Sequence, residues 1–159
     1  MPLLASDIAR RLRQPGEDPV RVLNRIRNWT KFGLLTPAGE AHPGGGRACQ
    51  YSDATLLDAM IIQELVNAGI PAVSVGSVLE QIKSDAPQLF GASFTKLHDR
   101  TLLILGKAYS GSNAINVWLR SPTGFAKLAE KQSRCSLYYV IDIEKLRDRL
   151  NAEPEGESE

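Results

Sequence analysis

Asp18-Pro19 at one end and Gly33 at the other write both termini of a helix into this sequence, and no other stretch constrains the fold as tightly. Aspartate accepts the free amides of a first turn, proline has no amide to leave unpaired at the first helical position, and glycine takes the left-handed conformation that closes a helix. Between them Val22 or Leu23, Ile26 and Trp29 recur at helical spacing, with Phe32 a further candidate, so one face turns to a core. The opposite surface displays Arg21, Arg25, Arg27, Asn28 and Lys31. Ahead of this helix, Leu4, Ile8 and Leu12 mark a shorter one, with Ser6 or Asp7 as its expected cap. Gln14 to Pro19 holds two prolines and a glycine, so no helix runs through it. Two short helices joined by a break, the second basic and capped, are the parts of a helix-turn-helix.

Thr36 to Tyr51 carries Pro37, Gly39, Pro43 and Gly44-Gly45-Gly46 without apolar periodicity, which predicts an exposed loop or short irregular hairpin with Arg47 just past its glycine tip. After Ser52, the spacing of Leu56, Leu57, Met60, Ile61, Leu65 and Val66 predicts a helix ended by Gly69-Ile70-Pro71. Val75, Val78, Leu79 and Ile82 predict a fourth over Val73 to Lys83. From about Phe90 the texture changes. Thr101 to Tyr109, Ile115 to Leu119 and Leu137 to Ile143 are β-rich runs, the first two separated by a Ser-Gly-Ser-Asn turn. Ser121-Pro122 opens a helix through about Gln132, and Asp142 or Ile143 opens a last one with Leu146 and Leu150 on its apolar face. The expected fold class is α+β. It comprises a winged helix-turn-helix over 1–85, a small α+β module with a three-stranded sheet over 90–151, and an acidic disordered tail over 152–159.

The net charge of +1 conceals a gradient, because residues 1–51 carry +4 and the remainder −3. A basic N-terminal third on a near-neutral chain points that third at a polyanion. The longest apolar runs fall far short of the roughly 18 to 20 residues that cross a bilayer, so no membrane partner is expected. Asp7, Arg10 and Arg11 arrive before any leader-like apolar run can build, so the expected location is cytoplasmic, with the nucleoid. Cys49 and Cys135 have no second Cys or His at metal-ligand spacing, so free thiols without a metal are expected.

Ser6 to Leu79 resembles the DNA-binding domain of the MerR family of transcription regulators. Ser6-Asp7-Ile8-Ala9-Arg10-Arg11-Leu12 carries the resemblance in the first helix, and Ile26-Arg27-Asn28-Trp29-Thr30-Lys31-Phe32-Gly33-Leu34-Leu35 at the end of the second. The loop ending Gly46-Arg47-Ala48-Cys49-Gln50-Tyr51-Ser52-Asp53 continues it, and Leu56 through Ile70-Pro71 is similar to the family's next helix. An aromatic, three residues, then Gly-Leu-Leu is the most specific piece: the aromatic locks the helix to the core, glycine reverses the chain, and Leu-Leu starts the wing. Three departures stand out. The segment joining the first two helices is longer than the family's tight turn. Asn28 and Cys49 stand where an aromatic and a wing arginine are common. No heptad run of the length of the family's coiled coil follows the fourth helix.

The resemblance implies a dimer on an inverted repeat of double-stranded DNA, each recognition helix in a major groove and each wing on flanking backbone, with RNA polymerase a further partner and the DNA bent or untwisted. Arg21, Arg25 and Asn28 are then the base readers, arginine pairing with guanine and asparagine with adenine. Arg27 and Lys31 reach phosphates, and His42 and Arg47 follow the backbone or minor groove. Without a coiled coil, the homodimer falls to the C-terminal module, which alternatively senses an effector. The competing readings are an excisionase-like recombination accessory factor and an interaction module docking on an acidic partner. Trp29 and Trp118 read as core, and Tyr138 and Tyr139 point to opposite faces of their strand, so only one of them is core. Gly111-Ser112-Asn113 lacks the Lys-Ser/Thr of a phosphate loop, and His98-Asp99 has no catalytic context, so no enzyme and no cofactor are expected.

Overall fold

The computed structural model describes residues 2–39, 48–89, 102–108, 115–131 and 135–151. The chain is α+β, with six α-helices and a three-stranded antiparallel sheet among those residues. Contacts divide it into two compact units, one formed by Met1–Leu65 with the C-terminal residues from Arg149, the other by Val66–Asp148.

The first unit begins with β1 (Leu3–Leu4) and α1 (Ala5–Leu12). Leu4 stands at the N-cap, and Asp7, one turn in, accepts its amide at 2.8 Å, so neither Ser6 nor Asp7 is itself the cap. Ile8, Ala9 and Leu12 are buried against α2 (Pro19–Lys31), whose own buried stripe is Val22, Ile26 and Trp29. Each large aliphatic side chain so buried contributes about 1.5–3 kcal/mol over exposure. Asp18 accepts the Val20 amide at 3.0 Å, and Gly33 at φ +72° reverses the chain. Across that reversal, the amides of Leu34 and Leu35 both donate to the Trp29 carbonyl, at 2.8 and 3.3 Å. Phe32 lies just past the last helical turn and is 74% exposed, so it does not belong to the core stripe.

β2 (Gln50–Tyr51) pairs antiparallel with β1, Leu3 opposite Tyr51 and Leu4 opposite Gln50. The Ala38 amide donates to the Gln50 carbonyl at 2.7 Å, which ties the chain just beyond α2 to β2. Arg47, His42 and the glycine tip lie outside the described residues. Ser52 caps α3 (Asp53–Asn67), accepting the Thr55 amide at 3.2 Å. Leu56, Leu57, Ala59 to Gln63 and Leu65 are all buried, so this helix is enclosed on nearly every face.

In the second unit, Gly69 at φ +80° separates α3 from α4 (Ala72–Asp85), which buries Val75, Val78, Leu79 and Ile82 as their spacing predicts. A short 3₁₀ turn over Pro87–Leu89 follows. The sheet order is β4 (Ile115–Arg120), β3 (Leu102–Ala108), β5 (Cys135–Asp142), so β3 is central. The β3–β4 turn expected at Ser-Gly-Ser-Asn lies outside the described residues. Leu103 opposes Leu119 and Ile141, and Leu105 opposes Val117 and Tyr139, so these six share one face. The other face has Ile104 between Trp118 and Val140, and Gly106 between Asn116 and Tyr138.

α5 (Pro122–Lys131) lies beside β3 and β4 and sets Phe125 edge-on to Tyr138, ring centroids 5.8 Å apart, with Trp118 6.4 Å from the same ring. Trp118, Tyr138 and Tyr139 are all half-buried, so neither Trp118 nor one tyrosine alone is the enclosed core residue that alternation predicts. Among the described residues, the enclosed hydrophobic side chains of the sheet are Leu103, Ile104 and Leu105 of the central strand and Ile141 of β5. Asp142 caps α6 (Ile143–Asn151), accepting the Glu144 amide at 3.0 Å. No helix among the described residues is long and apolar enough to cross a membrane.

Candidate functional site

Burying Val22, Ile26 and Trp29 decides which residues of α2 face outward. Arg21, Arg27, Asn28 and Lys31 are exposed, and the helix carries no acidic residue to neutralise them. The exposed set also includes Asn24, three residues after Arg21 and four before Asn28, and Val20, which is 61% exposed. Sequence reasoning passed over both. The spacing that identified Arg21 and Asn28 selects Asn24 as well, but its lack of charge left it unremarked.

Arg25 departs from the other candidates. Its side chain is only 26% exposed, and one guanidinium nitrogen lies 2.5 Å from a Glu17 carboxylate oxygen. The other donates to the side-chain carbonyl of Gln63 in α3, a residue 3% exposed. The second oxygen of Glu17 accepts the Gln14 amide at 2.9 Å. Arg25 thus joins the segment between α1 and α2 to α3, and its guanidinium is committed inside the unit rather than displayed with the exposed row. On the next residue of α3, Glu64 accepts from Arg149 of α6 at 2.8 Å.

The Gln14 amide and then the Arg25 guanidinium hold the Glu17 carboxyl below its ordinary value of 4.5. A carboxyl with a lowered folded-state pKa adds stability that is complete above its unfolded value and is lost as pH falls through the folded one. The stability advantage of the wild type over Glu17→Gln is therefore expected to hold from neutrality down to the ordinary carboxylate range and to fade as pH falls below it, as read by urea midpoints across an acid series. An advantage unchanged over the whole range would dissociate Glu17 from acid lability.

Two further elements frame the exposed row. Tyr51 of β2 is buried, and its hydroxyl lies 2.8 Å from that of Thr30, which also donates to the Ile26 carbonyl at 3.1 Å. Burial raises the Tyr51 pKa against the opposing effect of this hydrogen bond, so its hydroxyl is neutral and serves to anchor the ribbon to α2. At the other end, Ser6, Ala9, Arg10, Arg13, Pro19 and Leu23 line a cleft of about 160 Å³ beside the start of α2. Arg10 is exposed and pairs with Asp7 at 3.6 Å. Arg10 entered the sequence reading through the first-helix resemblance and the charge, and Arg13 through the charge alone; neither was taken as a binding residue. Among the described residues no cluster of His, Cys, Asp and Glu is arranged to hold a metal ion. No protein-family model matches the chain, and no curated protein matches it in sequence.

Proposed function

We propose that the protein is a sequence-specific, double-stranded DNA-binding transcription regulator of MerR-like, winged helix-turn-helix type, acting as a homodimer on an inverted repeat. The observation that carries this reading is the outward face of α2, where Arg21, Asn24, Arg27, Asn28 and Lys31 are exposed together without an acidic neighbour on the helix. Phosphate contacts from arginine and lysine position such a helix, and amide and guanidinium groups read base edges in the major groove. Support also comes from the Trp29–Gly33 reversal and from the ribbon at the base of the 39–49 segment, which is where a wing would spring. α4 ends at Asp85 and is too short for a long coiled coil, so we assign the dimer contact to the α+β module. The protein has no catalytic role in this reading.

If about four to six phosphates are neutralised per protomer, log affinity falls with log salt at a slope near −0.9 per contact, and Lys31→Ala flattens the slope by about one unit. Fluorescence anisotropy on duplex DNA over a salt series measures this. Salt-independent affinity, or no binding at low salt, would remove the reading.

A further inference from the structure

Arg25 turned inward changes what the exposed face of α2 can recognise. With Arg25 displayed, the readers would be two guanidinium groups and one amide, a set suited to guanine. With Arg25 held by Glu17 and Gln63, and the exposed Arg27 and Lys31 assigned to phosphates, the set left to read bases is one guanidinium, Arg21, two amides, Asn24 and Asn28, and the branched methyls of Val20. Val20, Asn24 and Asn28 stand at i, i+4 and i+8, so they form one ridge along the helix. An exposed valine is ordinary on a protein surface. What gives Val20 a role is its place in line with two asparagines, at the N-terminal end that a recognition helix directs to the bases.

We infer that α2 reads an A·T-rich half-site, with Val20 against a thymine methyl, Asn24 and Asn28 on adenines, and Arg21 the lone guanine reader. This rests on the DNA-binding reading above and specifies its substrate. Eight residues of helix rise about 12 Å, against about 3.4 Å per base step, so the ridge spans three to four base steps. Asparagine accepts from the adenine amino group and donates to its ring nitrogen, a pairing that neither cytosine nor guanine offers. Apolar contact with the thymine methyl excludes the unmethylated pyrimidine cytosine at the adjoining position. Arg27 and Lys31 flank the ridge and supply phosphate contacts that hold it in register.

The test selects bound sequences from a random duplex pool with the full-length protein, then measures affinity for the best site with each thymine replaced in turn by deoxyuridine. The expected result is a half-site with neighbouring A·T pairs. Asn24→Ala should weaken binding to it about five- to a hundredfold and relax one of those positions. One deoxyuridine should weaken wild type and leave Val20→Ala unaffected. G·C-dominated half-sites, or an Asn24→Ala variant with unchanged preference, would overturn the A·T assignment while DNA binding stands. Equal deoxyuridine sensitivity in wild type and Val20→Ala would overturn the methyl contact. No enrichment, together with no salt-dependent binding, would remove both this inference and the reading beneath it.

Discussion

Trp29→Ala is expected to cost about 3–5 kcal/mol, as large aromatic truncations in cores do. Domains of this size are stable by only about 5–15 kcal/mol in total, so the variant should approach unfolding at growth temperature. Trp29 is 8% exposed and belongs to the stripe with Val22 and Ile26. Its backbone also accepts the Leu34 and Leu35 amides, so losing the indole loosens the point where the chain leaves α2. Urea unfolding followed by circular dichroism should show a lower midpoint with an unchanged slope. Phe32→Ala, at a residue 74% exposed, should fall within about 0.5 kcal/mol of wild type. A loss under about 1 kcal/mol for Trp29→Ala would place the indole outside the core.

Arg25→Ala should destabilise the fold by about 1–3 kcal/mol, because it leaves the Gln63 side-chain carbonyl without its guanidinium donor and Glu17 without its ion pair. Exposed ion pairs contribute far less, but here one partner is buried and both charged side chains are less than one-third exposed. Replacing both ends at once, as in Arg25→Met with Gln63→Leu, should recover part of the loss, since the Gln63 carbonyl is no longer left without that donor while Glu17 still lacks its ion pair. On DNA, Arg25→Ala should weaken all sequences alike. Normal stability combined with relaxed preference at one G·C pair would return Arg25 to the base readers.

Helix ends were the most legible part of the fold. Asp18, Ser52, Ser121 and Asp142 each accept an amide within the following turn, and Gly33 and Gly69 take positive φ, because caps depend on residues a few positions apart. The β1–β2 ribbon was not legible. Two-residue strands carry no periodicity, and their pairing links positions remote in sequence. The exposure of Arg21, Arg27, Asn28 and Lys31 followed from the helical stripe alone. Arg25 could not be placed that way, because one of its partners lies 38 residues further along in another helix. Phe32 continued the stripe by spacing, yet the helix stops before it.

The ribbon also bears on the order in which the first unit assembles. Leu3 meets Tyr51 only after a loop of about fifty residues closes, and that closure draws on chain entropy before any ladder bond compensates. α1 and α2 are near neighbours in sequence and nucleate locally, so they form first and the ribbon last. On a ribosome, α1 and α2 are made before Tyr51 exists to pair with the chain's beginning. Through that interval the ladder groups of Leu3 and Leu4 have no partner strand, and the chain's first strand stays open to chaperones and proteases until Tyr51 emerges.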